Sequence, residues 1–292
     1  MRIFVTGASG WIGSGTVKEL VGAGHSVLGL ARSDAAAERV TALGADVHRG
    51  DLNDLDSLRA GAAAADGVVH LGYHHDFSQI PEAARIDREA MAALGAELKE
   101  GSPFVIAAGV VGLSRDGSVA TEEVEADAST HPRVANSLIV RDLAERGVRS
   151  AAVRFAPTVH GRGDHGFIAV LVAIARQTGV SGYVGDGAGR WSAVHRDDAA
   201  TLVRLAVERA TPGETLHAIA EEGVPTRDIA EAIGRGLGLP VESRPAEHFD
   251  WLGRFFGMDA AASSEITRKR YDWNPSRPGL IADLDEGHYF EQ

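Results

Sequence analysis

Residues 1–13 read MRIFVTGASGWIG, and this stretch decides the fold of the chain. Residues 3–5 are an apolar run of strand formers, and glycines follow at every third position, Gly7, Gly10 and Gly13, before a helical run. In such a strand, turn and helix, the first glycine permits a tight turn and the second lets a pyrophosphate approach the main chain. The third lets the helix and the strand pack closely. The free N–H groups and the dipole of the helix N-terminus favour a phosphate. The stretch therefore predicts a dinucleotide site rather than an ordinary turn.

The composition predicts a globular protein. A chain of 292 residues, 44% hydrophobic and 24% charged, can form one large domain or two modest ones. It has no cysteine, hence no disulfide, no thiolate nucleophile and no cysteine-ligated metal, which suits a cytoplasmic protein. A formal net charge of -12 opposes nucleic-acid binding but leaves room for a local basic pocket. The longest apolar stretch, 167–175, is far short of the roughly 20 residues that span a bilayer, and no leader-like segment precedes the first strand.

The second strand ends at the residues that choose between the two nicotinamide cofactors. Residues 26–30 read SVLGL, and Arg32 and Ser33 follow. A carboxylate at this place hydrogen-bonds the ribose 2'-hydroxyl of NAD, whereas an arginine accommodates the 2'-phosphate of NADP. Arg32 therefore favours NADP over NAD. The alternatives are that Arg32 is only a solvated charge at the strand end and that nearby Asp34 selects NAD.

Strands and helices alternate along the chain. Further strands are predicted at 45–48, 67–71, 103–108 and 151–155, with a returning strand at 215–220, and helices at 83–100, 132–146 and 167–177. A helix is also expected to start at 50–54, where Asp and Asn side chains can accept from its unpaired N–H groups. This alternation predicts an α/β fold with a doubly wound parallel sheet.

Other segments carry more local predictions. The acidic loop 114–130, which includes Glu122, is expected to be a solvated rim, and 182–189 is expected to be a glycine-rich loop. Asp197 and Asp198 are expected to cap the helix that follows them. The C-terminal part of the chain reads as mostly helical.

Polar side chains follow the predicted strands at their carboxyl ends, where a parallel sheet binds its ligand. The candidate substrate-site residues are Tyr73, His74, His75, Asp76, His160, His165, Tyr183, Arg190, Trp191 and His195. Histidine suits a proton donor because its pKa lies near neutrality, and a neighbouring aspartate can orient it. For each residue the alternative is a structural or solvent-facing polar group. No metal site is predicted, because the histidine pairs lack ligand spacing, and no Gly-x-Ser-x-Gly elbow indicates a hydrolase.

Several segments, taken in order, resemble one family. They are 6–13 (TGASGWIG), 50–54 (GDLND), 68–71 (VVHL), Arg154 with Pro157, and 195–198 (HRDD). Together they resemble the NAD(P)-dependent epimerase/dehydratase family, the extended branch of the short-chain dehydrogenase/reductases. The resemblance implies a Rossmann-type doubly wound parallel sheet with a smaller, mostly helical substrate-binding part. The Rossmann domain would comprise 1–157, completed by 190–222, and the substrate-binding part would comprise 158–189 and 223–292.

The resemblance also implies a cofactor site. Its residues would be Gly7, Ser9, Gly10, Trp11, Ile12, Gly13, Arg32, Asp51, Leu52, Leu71, Gly72, Ala107 and Pro157. Within this set the glycine turn would hold the pyrophosphate, Asp51 and Leu52 the adenine, Leu71 and Gly72 the ribose side, and Pro157 the nicotinamide end.

The catalytic residues typical of the family are missing from the matching positions. Members usually carry Ser or Thr at the end of the fifth strand and a Tyr-x-x-x-Lys on the next helix, where tyrosine shuttles the proton and lysine lowers its pKa. Here the fifth strand ends at Ala108, and Arg133 and Ser137 fall near the tyrosine and lysine positions. None of the four tyrosines is followed four residues later by lysine. The chain therefore resembles an atypical member.

Two functions of different class follow. The first is an NADP-dependent oxidoreductase that transfers hydride between NADP(H) and a small carbonyl or enone substrate through non-standard acid and base residues. The second is a catalytically silent NAD(P)-binding sensor or regulatory protein. Polar groups at the crevice edge favour the first, and loss of the usual catalytic residues favours the second. We expect a cytoplasmic protein with a small-molecule substrate and no nucleic-acid or membrane partner, either monomeric or homodimeric.

Overall fold

The structure is a computed structural model that describes residues 1–74, 79–114, 117–127, 129 and 132–291. Two compact units make up the chain, and each is described by itself. Unit 1 comprises Met1–Ala108, Glu125–Arg154 and Ala200–Leu216, and unit 2 comprises Gly109–Val124, Phe155–Ala199 and His217–Gln292. This division does not test the domain boundaries expected at 157, 190 and 222, which stay a prediction.

Strands and helices alternate as expected in the first half of the chain. The strands are β1 (Arg2–Thr6), β2 (Ser26–Ala31), β3 (Asp46–Arg49), β4 (Gly67–His70), β5 (Pro103–Gly109), β6 (Arg149–Phe155), β7 (Thr158–His160), β8 (Ser181–Val184), β9 (Arg190–His195), β10 (Glu214–Ala218), β11 (Glu221–Pro225) and β12 (Val241–Arg244). The first helices are α1 (Trp11–Gly22), α2 (Asp34–Ala42), α3 (Leu55–Ala63), α4 (Ile80–Ala96), α5 (Pro132–Asn136) and α6 (Ile139–Glu145). The later helices are α7 (Phe167–Thr178), α8 (Arg196–Arg209), α9 (Thr226–Leu237), a 3-10 helix (Ala246–Leu252), α10 (Gly253–Phe256), α11 (Glu265–Tyr271) and α12 (Leu280–Asp285).

The central sheet has seven strands in the order β10, β6, β5, β4, β1, β2, β3. The pairs β1 with β2, β1 with β4, β2 with β3 and β4 with β5 are parallel. Ile3, Phe4 and Val5 are fully buried, as expected for a parallel strand with both faces covered. The sheet confirms the predicted fold class, and β10 lies at its edge as the returning strand.

Helix α4 shows how the sequence pattern produces the packing of unit 1. Ala90, Met91 and Leu94 are buried at helical spacing in a cluster that includes Phe4 of β1. One charged residue, Asp87, falls on the same buried face. A carboxylate in this position needs partners, because burying an unpaired charge is costly.

Unit 2 contains two small sheets and most of the later helices. Strand β9 pairs with β11 antiparallel and with β7 parallel, and β12 pairs with β8 parallel. Its core is rich in aromatic residues, with Trp191, Phe249 and Phe256 almost fully buried. The loop expected over 182–189 is wrong in its first part, because residues 181–184 form β8.

The helix expected over 132–146 is interrupted. Helix α5 ends at Asn136 and α6 begins at Ile139. The Ser137 hydroxyl donates to the Val134 carbonyl at 2.7 Å, and the Leu138 N–H donates three residues back at 3.2 Å. These local bonds replace the regular helical ones, so the helix breaks between α5 and α6.

The expected cap at Asp197 and Asp198 is also wrong. Helix α8 begins one residue earlier, and His195 Nδ1 accepts the Asp197 N–H at 3.1 Å. The buried Asp198 carboxylate instead accepts the backbone N–H groups of residues 276–277, at 3.1 and 3.0 Å. By contrast, Asp54 caps α3 as expected, accepting from the Ser57 N–H at 3.0 Å.

Glu122 does not lie on a solvated rim. It is 8% exposed, and its Oε1 accepts both the N–H and the hydroxyl of Thr267, at 2.7 and 2.6 Å. The acidic composition around Glu122 could not indicate a partner 145 residues away. None of the helices in the described ranges is long and apolar enough to span a membrane.

Candidate functional site

The glycine turn of unit 1 leaves no room for side chains. Gly7 has a φ of +67°, and a Cβ on it would lie 2.7 Å from the Gly72 nitrogen. A Cβ on Gly13 would lie 1.9 Å from the Gly7 carbonyl oxygen, so helix α1 packs directly on the turn. Gly10 precedes α1 in an extended conformation, with no side-chain cap. The turn therefore offers bare backbone at a helix N-terminus, which fits a dinucleotide pyrophosphate.

Leu71 and Gly72, which follow the end of β4, lie against this glycine turn. The Gly72 N–H donates to Thr6 Oγ1 at 3.1 Å, and the Leu71 N–H donates to the Thr6 carbonyl at 3.3 Å. Leu52 also reaches Gly72, because a Cβ on Gly72 would lie 3.1 Å from Leu52 Cδ2. Three of the expected cofactor residues from two separate segments thus meet beside the turn.

Asp51, expected at the adenine, is half-buried and lies near two cations. Burial raises its pKa, but hydrogen bonds from the Asn53 N–H and side-chain amide outweigh this. The charges of His74 and Arg32 lower the pKa further, so the net result lies below the usual value. The Asp51 carboxylate is therefore ionised at neutral pH and can accept a hydrogen bond.

Two charged residues that follow β2, Arg32 and Asp34, differ in their contacts. Arg32 is exposed and, within the described residues, makes no hydrogen bond or ion pair. Ser33 caps α2 by accepting the Ala36 N–H at 3.2 Å. Asp34 is held by Arg49, whose Nη2 lies 2.5 Å from its Oδ1, and Arg49 itself stands at the end of β3. The arginine is thus available to a ligand, while the carboxylate has a partner.

A buried chain of hydrogen bonds runs from the glycine turn to helix α5. Thr6 Oγ1 bonds His70 Nδ1 at 2.8 Å, and His70 Nε2 lies 3.2 Å from Asp87 Oδ1. Asp87 Oδ2 accepts from the Asn136 amide at 2.8 Å. Because the carboxylate only accepts, His70 Nε2 carries a proton and donates it to Asp87. All four side chains are buried.

Electrostatics keep the carboxylate in this chain ionised. Burial raises the pKa of Asp87, but the His70 hydrogen bond and charge, the Asn136 hydrogen bond and the Arg133 charge lower it further. The net pKa lies below the usual value. Sequence reasoning missed Thr6, His70, Asp87 and Asn136 as a group, although two signals were present. His70 interrupts an apolar strand, and Asp87 interrupts the apolar face of α4.

Tyr73 and Arg133 meet at the end of this chain. The guanidinium carbon of Arg133 lies 4.0 Å from the centre of the Tyr73 ring, and both side chains are half-buried. Burial raises the pKa of Tyr73, the Arg133 charge lowers it and the Asp87 charge raises it, with a net result above the usual value. Arg133 of α5 therefore contacts a tyrosine that directly follows the end of β4.

In unit 2, a second cluster includes two of the candidate histidines. His160 is fully buried and its Nδ1 lies 2.9 Å from Asp283 Oδ2, while His288 Nε2 lies 3.0 Å from Asp283 Oδ1. The ring of His195 meets that of His160 edge-on, with centroids 5.5 Å apart. Burial and the His160 charge lower the pKa of His195 below the usual value, although neighbouring aspartates oppose this. The structure thus brings His160 and His195 together.

Asp283, Glu286 and His288 place three possible ligand atoms within 4.8 Å of one another. Both Asp283 oxygens already accept from imidazoles, from His160 and from His288. The hydrogen bonds satisfy this carboxylate, and we assign no metal to the group.

Three other candidates of unit 2, Arg190, Trp191 and Tyr183, make their contacts with residues outside the His160 cluster. Arg190 makes a two-point ion pair with Asp259, at 3.1 and 2.7 Å. Trp191 is buried in the core and its indole N–H donates to the Phe255 carbonyl at 3.2 Å. Tyr183 is half-buried under Arg227, whose guanidinium carbon lies 4.8 Å from its ring centre.

Other expected site residues are distributed as follows. His75 and Asp76 lie outside the described residues. His165 is exposed in unit 2, where Pro157 also lies. In unit 1, Ser9, Trp11 and Ile12 surround Gly10 at the start of α1, and Ala107 lies near the end of β5. The roles of these residues stay predictions.

Comparison with known proteins identifies the family. The model of the NAD dependent epimerase/dehydratase family matches residues 3–219. The chain is 42% identical over 295 residues to an uncharacterized protein of Schizosaccharomyces pombe, covering 99% of this chain and all of that one. It is 28% identical over 259 residues to the 2-alkyl-3-oxoalkanoate reductase of Stenotrophomonas maltophilia, covering 82% of this chain and 77% of that one.

A solved structure shows the same fold. The UDP-glucose 4-epimerase of Thermus thermophilus, in complex with NAD, superposes with a TM-score of 0.75 at 19% identity, covering 100% of both chains. At this identity the likeness shows the fold alone. The family match covers most of the chain and includes the glycine turn and the seven-stranded sheet. The chain therefore belongs to the NAD dependent epimerase/dehydratase family.

Proposed function

We propose that this protein is an oxidoreductase that transfers hydride between NADP(H) and a small carbonyl or enone substrate. The observation that carries the proposal is the bare glycine turn of unit 1, with the exposed guanidinium of Arg32 at the end of β2. Membership of a family of NAD-dependent enzymes supports the general reaction class.

The preference for NADP rests on charge at the end of β2. Among the described residues Arg32 makes no hydrogen bond or ion pair, although its charge acts on Asp51, so its guanidinium can form charge-assisted bonds to a 2'-phosphate. Asp34, the carboxylate that would suit the ribose of NAD, is paired with Arg49. Glycine residues 7, 10 and 13 would hold the pyrophosphate, and Asp51 and Leu52 the adenine.

The carbonyl substrate rests on chemistry and on one relative. When bound, the reduced nicotinamide supplies a hydride, and the chain must then provide a proton donor for the substrate oxygen. Tyr73 and His74 directly follow the strand end that packs on the glycine turn. The relative from Stenotrophomonas maltophilia is named as a reductase of 2-alkyl-3-oxoalkanoates, which are ketones.

A matched pair of arginine variants tests the cofactor preference. Arg32→Ala should weaken NADPH binding about tenfold or more and leave NADH binding nearly unchanged, because only NADPH carries the 2'-phosphate. Arg39→Ala, an exposed arginine of α2, changes the net charge equally and should leave both affinities unchanged. Titration of cofactor fluorescence measures all four affinities. Equal weakening of NADPH and NADH by Arg32→Ala would remove the case for NADP.

A carbonyl panel separates the enzyme from a silent sensor. Ketones, aldehydes and enones are incubated with protein and NADPH, and consumption of NADPH is followed by absorbance. Turnover of at least one compound supports the oxidoreductase. The absence of the usual catalytic residues at Ala108, Arg133 and Ser137 favours the sensor if a broad panel gives no turnover while NADPH still binds. A protein that binds neither NADPH nor NADH overturns both the oxidoreductase and the sensor.

The partner and location predictions belong to the same proposal. A small-molecule substrate, no nucleic-acid or membrane partner and a cytoplasmic location are supported by the net charge of -12 and the absence of cysteine. Light scattering of the purified protein distinguishes the monomer from the homodimer.

A further inference from the structure

The proposed carbonyl reduction needs a proton donor in unit 1, and one contact there supplies it. Resting on the proposed function, we propose that the Tyr73 hydroxyl is the catalytic proton donor and that the Arg133 guanidinium stabilises the phenolate it leaves behind. Their contact, with the guanidinium carbon 4.0 Å from the ring centre, is made between residues distant in sequence. A cation over the face of a tyrosine ring is attracted by the ring quadrupole.

Position is the first support for Tyr73. It immediately follows Gly72, whose backbone nitrogen would lie 2.7 Å from a Cβ on Gly7. Ligands of doubly wound sheets bind outside the carboxyl ends of the strands, and Tyr73 stands at the carboxyl end of β4. The phenol is therefore carried by the strand end that packs on the glycine turn.

A buried network fixes both partners, which is the second support. The Gly72 N–H, one residue before Tyr73, bonds Thr6 Oγ1, and the bonds continue through His70 and Asp87 to Asn136. Asn136 lies on α5, three residues after Arg133, and its amide also donates to the Ala84 carbonyl at 2.7 Å. One continuous network therefore connects Gly72, which precedes Tyr73, with helix α5, which carries Arg133. Such pre-organisation places a donor without ordering cost at the moment of reaction.

The chemical step balances without a further reactant. Hydride adds to the carbonyl carbon, and the carbonyl π pair becomes the lone pair of an alkoxide on the substrate oxygen. The Tyr73 O–H bond breaks as its proton moves to that oxygen, which gives the alcohol and a phenolate. Arg133 faces the phenolate ring, and a proton from water restores the phenol. NADPH is the two-electron reductant, and the carbonyl is reduced.

Electrostatics favour the reductive direction. Burial raises the pKa of Tyr73 above its ordinary value, and the Asp87 charge adds to this, although Arg133 opposes both. The phenol is therefore protonated at neutral pH, as carbonyl reduction requires. Oxidation of an alcohol would start from the phenolate, which is scarce under the same conditions. The site is thus suited to a reductase more than to a dehydrogenase.

The first test compares turnover with cofactor binding. Tyr73→Phe should lower turnover about 10²-fold or more, the range typical of general acids, while NADPH affinity stays within about twofold. Tyr271→Phe, a change at a buried tyrosine of α11, should keep turnover, and circular dichroism checks the fold of each variant. Wild-type turnover that survives in Tyr73→Phe overturns the assignment of Tyr73. A wild-type protein without turnover overturns the proposed function instead.

The second test needs neither cofactor nor substrate. The difference between the near-ultraviolet alkaline titrations of wild type and Tyr73→Phe isolates the Tyr73 phenolate. Arg133→Met should raise the Tyr73 pKa and Arg133→Lys should largely restore it, because the cation favours the phenolate. Arg141→Met, an exposed arginine of α6, is the matched control and should leave the Tyr73 pKa unchanged. A Tyr73 pKa that does not respond to Arg133→Met overturns the role of the guanidinium.

Discussion

Gly13 is the residue at which the cofactor turn tolerates least change. A Cβ there would lie 1.9 Å from the Gly7 carbonyl oxygen and 2.7 Å from the Gly7 carbonyl carbon, both backbone atoms that cannot rotate away. Gly13→Ala must therefore separate α1 from the turn. We expect a loss of NADPH affinity of at least about tenfold together with a lower unfolding temperature.

Gly22 in the same helix provides the control. A Cβ on Gly22 would meet nothing within 4 Å, so Gly22→Ala should keep NADPH affinity and stabilise α1 by about 0.5–1 kcal/mol. Fluorescence titration and thermal unfolding measure both variants. Unchanged NADPH affinity in Gly13→Ala would mean that the turn does not hold the cofactor.

At the scale of residues, the sequence predicted the glycine turn because its function is local. The spacing of Gly7, Gly10 and Gly13 follows directly from a strand, turn and helix. The contact of Arg133 with Tyr73 and the pairing of Asp34 with Arg49 were not predicted. Both join segments that are separate in sequence, and neither spacing nor periodicity encodes such contacts.

At the scale of elements, periodicity predicted helices and strands better than their ends. The helix expected over 132–146 follows a helical pattern throughout, but the Ser137 hydroxyl competes for a backbone carbonyl and interrupts it. Asp198 has the composition of a cap, yet its carboxylate bonds residues 276–277. Tertiary partners override local preference at both places.

Tyr289, in the segment after α12, makes hydrogen bonds to the loop after β7. Its hydroxyl donates to Asp164 Oδ2 at 2.9 Å and accepts the Gly161 N–H at 3.3 Å. Tyr289→Phe leaves a buried N–H without its acceptor and should lower the free energy of unfolding of unit 2 by about 1–2 kcal/mol. Tyr183→Phe removes a hydroxyl at a half-buried site that makes no such bridge to the described residues, and it should change the free energy little.

Denaturant unfolding followed by tryptophan fluorescence measures the Tyr289 and Tyr183 variants. Trp191, Trp251 and Trp273 all lie in unit 2, so three of the four tryptophans report on it. Equal stability of the Tyr289→Phe variant and wild type would show that the hydroxyl bridge does not stabilise the protein.

At the scale of the whole molecule, the alternation of elements predicted the class of the sheet and the returning strand β10. The organisation of unit 2 was less accessible. His160 and Asp283 bond across 123 residues, and Glu122 and Thr267 bond across 145. Such pairs depend on how distant elements pack, so composition and period contain no signal for them.

Stability should fall in mild acid. The pKa of His195 is lowered by burial and by the His160 charge, and that of His248 by burial and by Arg244. Each histidine binds a proton more readily in the unfolded chain, so its contribution is present above about pH 6.5 and is lost as the pH falls through the folded pKa. The free energy of unfolding should therefore be lower at about pH 5.5 than at about pH 7.5.

Variants of these histidines test the cause. His195→Gln should shrink the difference between the two pH values, and His248→Gln should shrink it independently. Denaturant titrations at both pH values supply the free energies. A full pH difference retained in the double variant would assign acid sensitivity to other groups.

Under the proposed preference for NADP, Arg49 would involve a second strand in the choice of cofactor. Strand β2 presents Arg32, but the arginine that holds Asp34 belongs to β3. If the proposed preference for NADP holds, a substitution of Arg49 would release Asp34 toward a ribose hydroxyl and should improve NAD binding, while β2 and the glycine turn stayed the same. Redesign of the proposed preference should therefore include the end of β3, a position that the residues directly after β2 do not reveal.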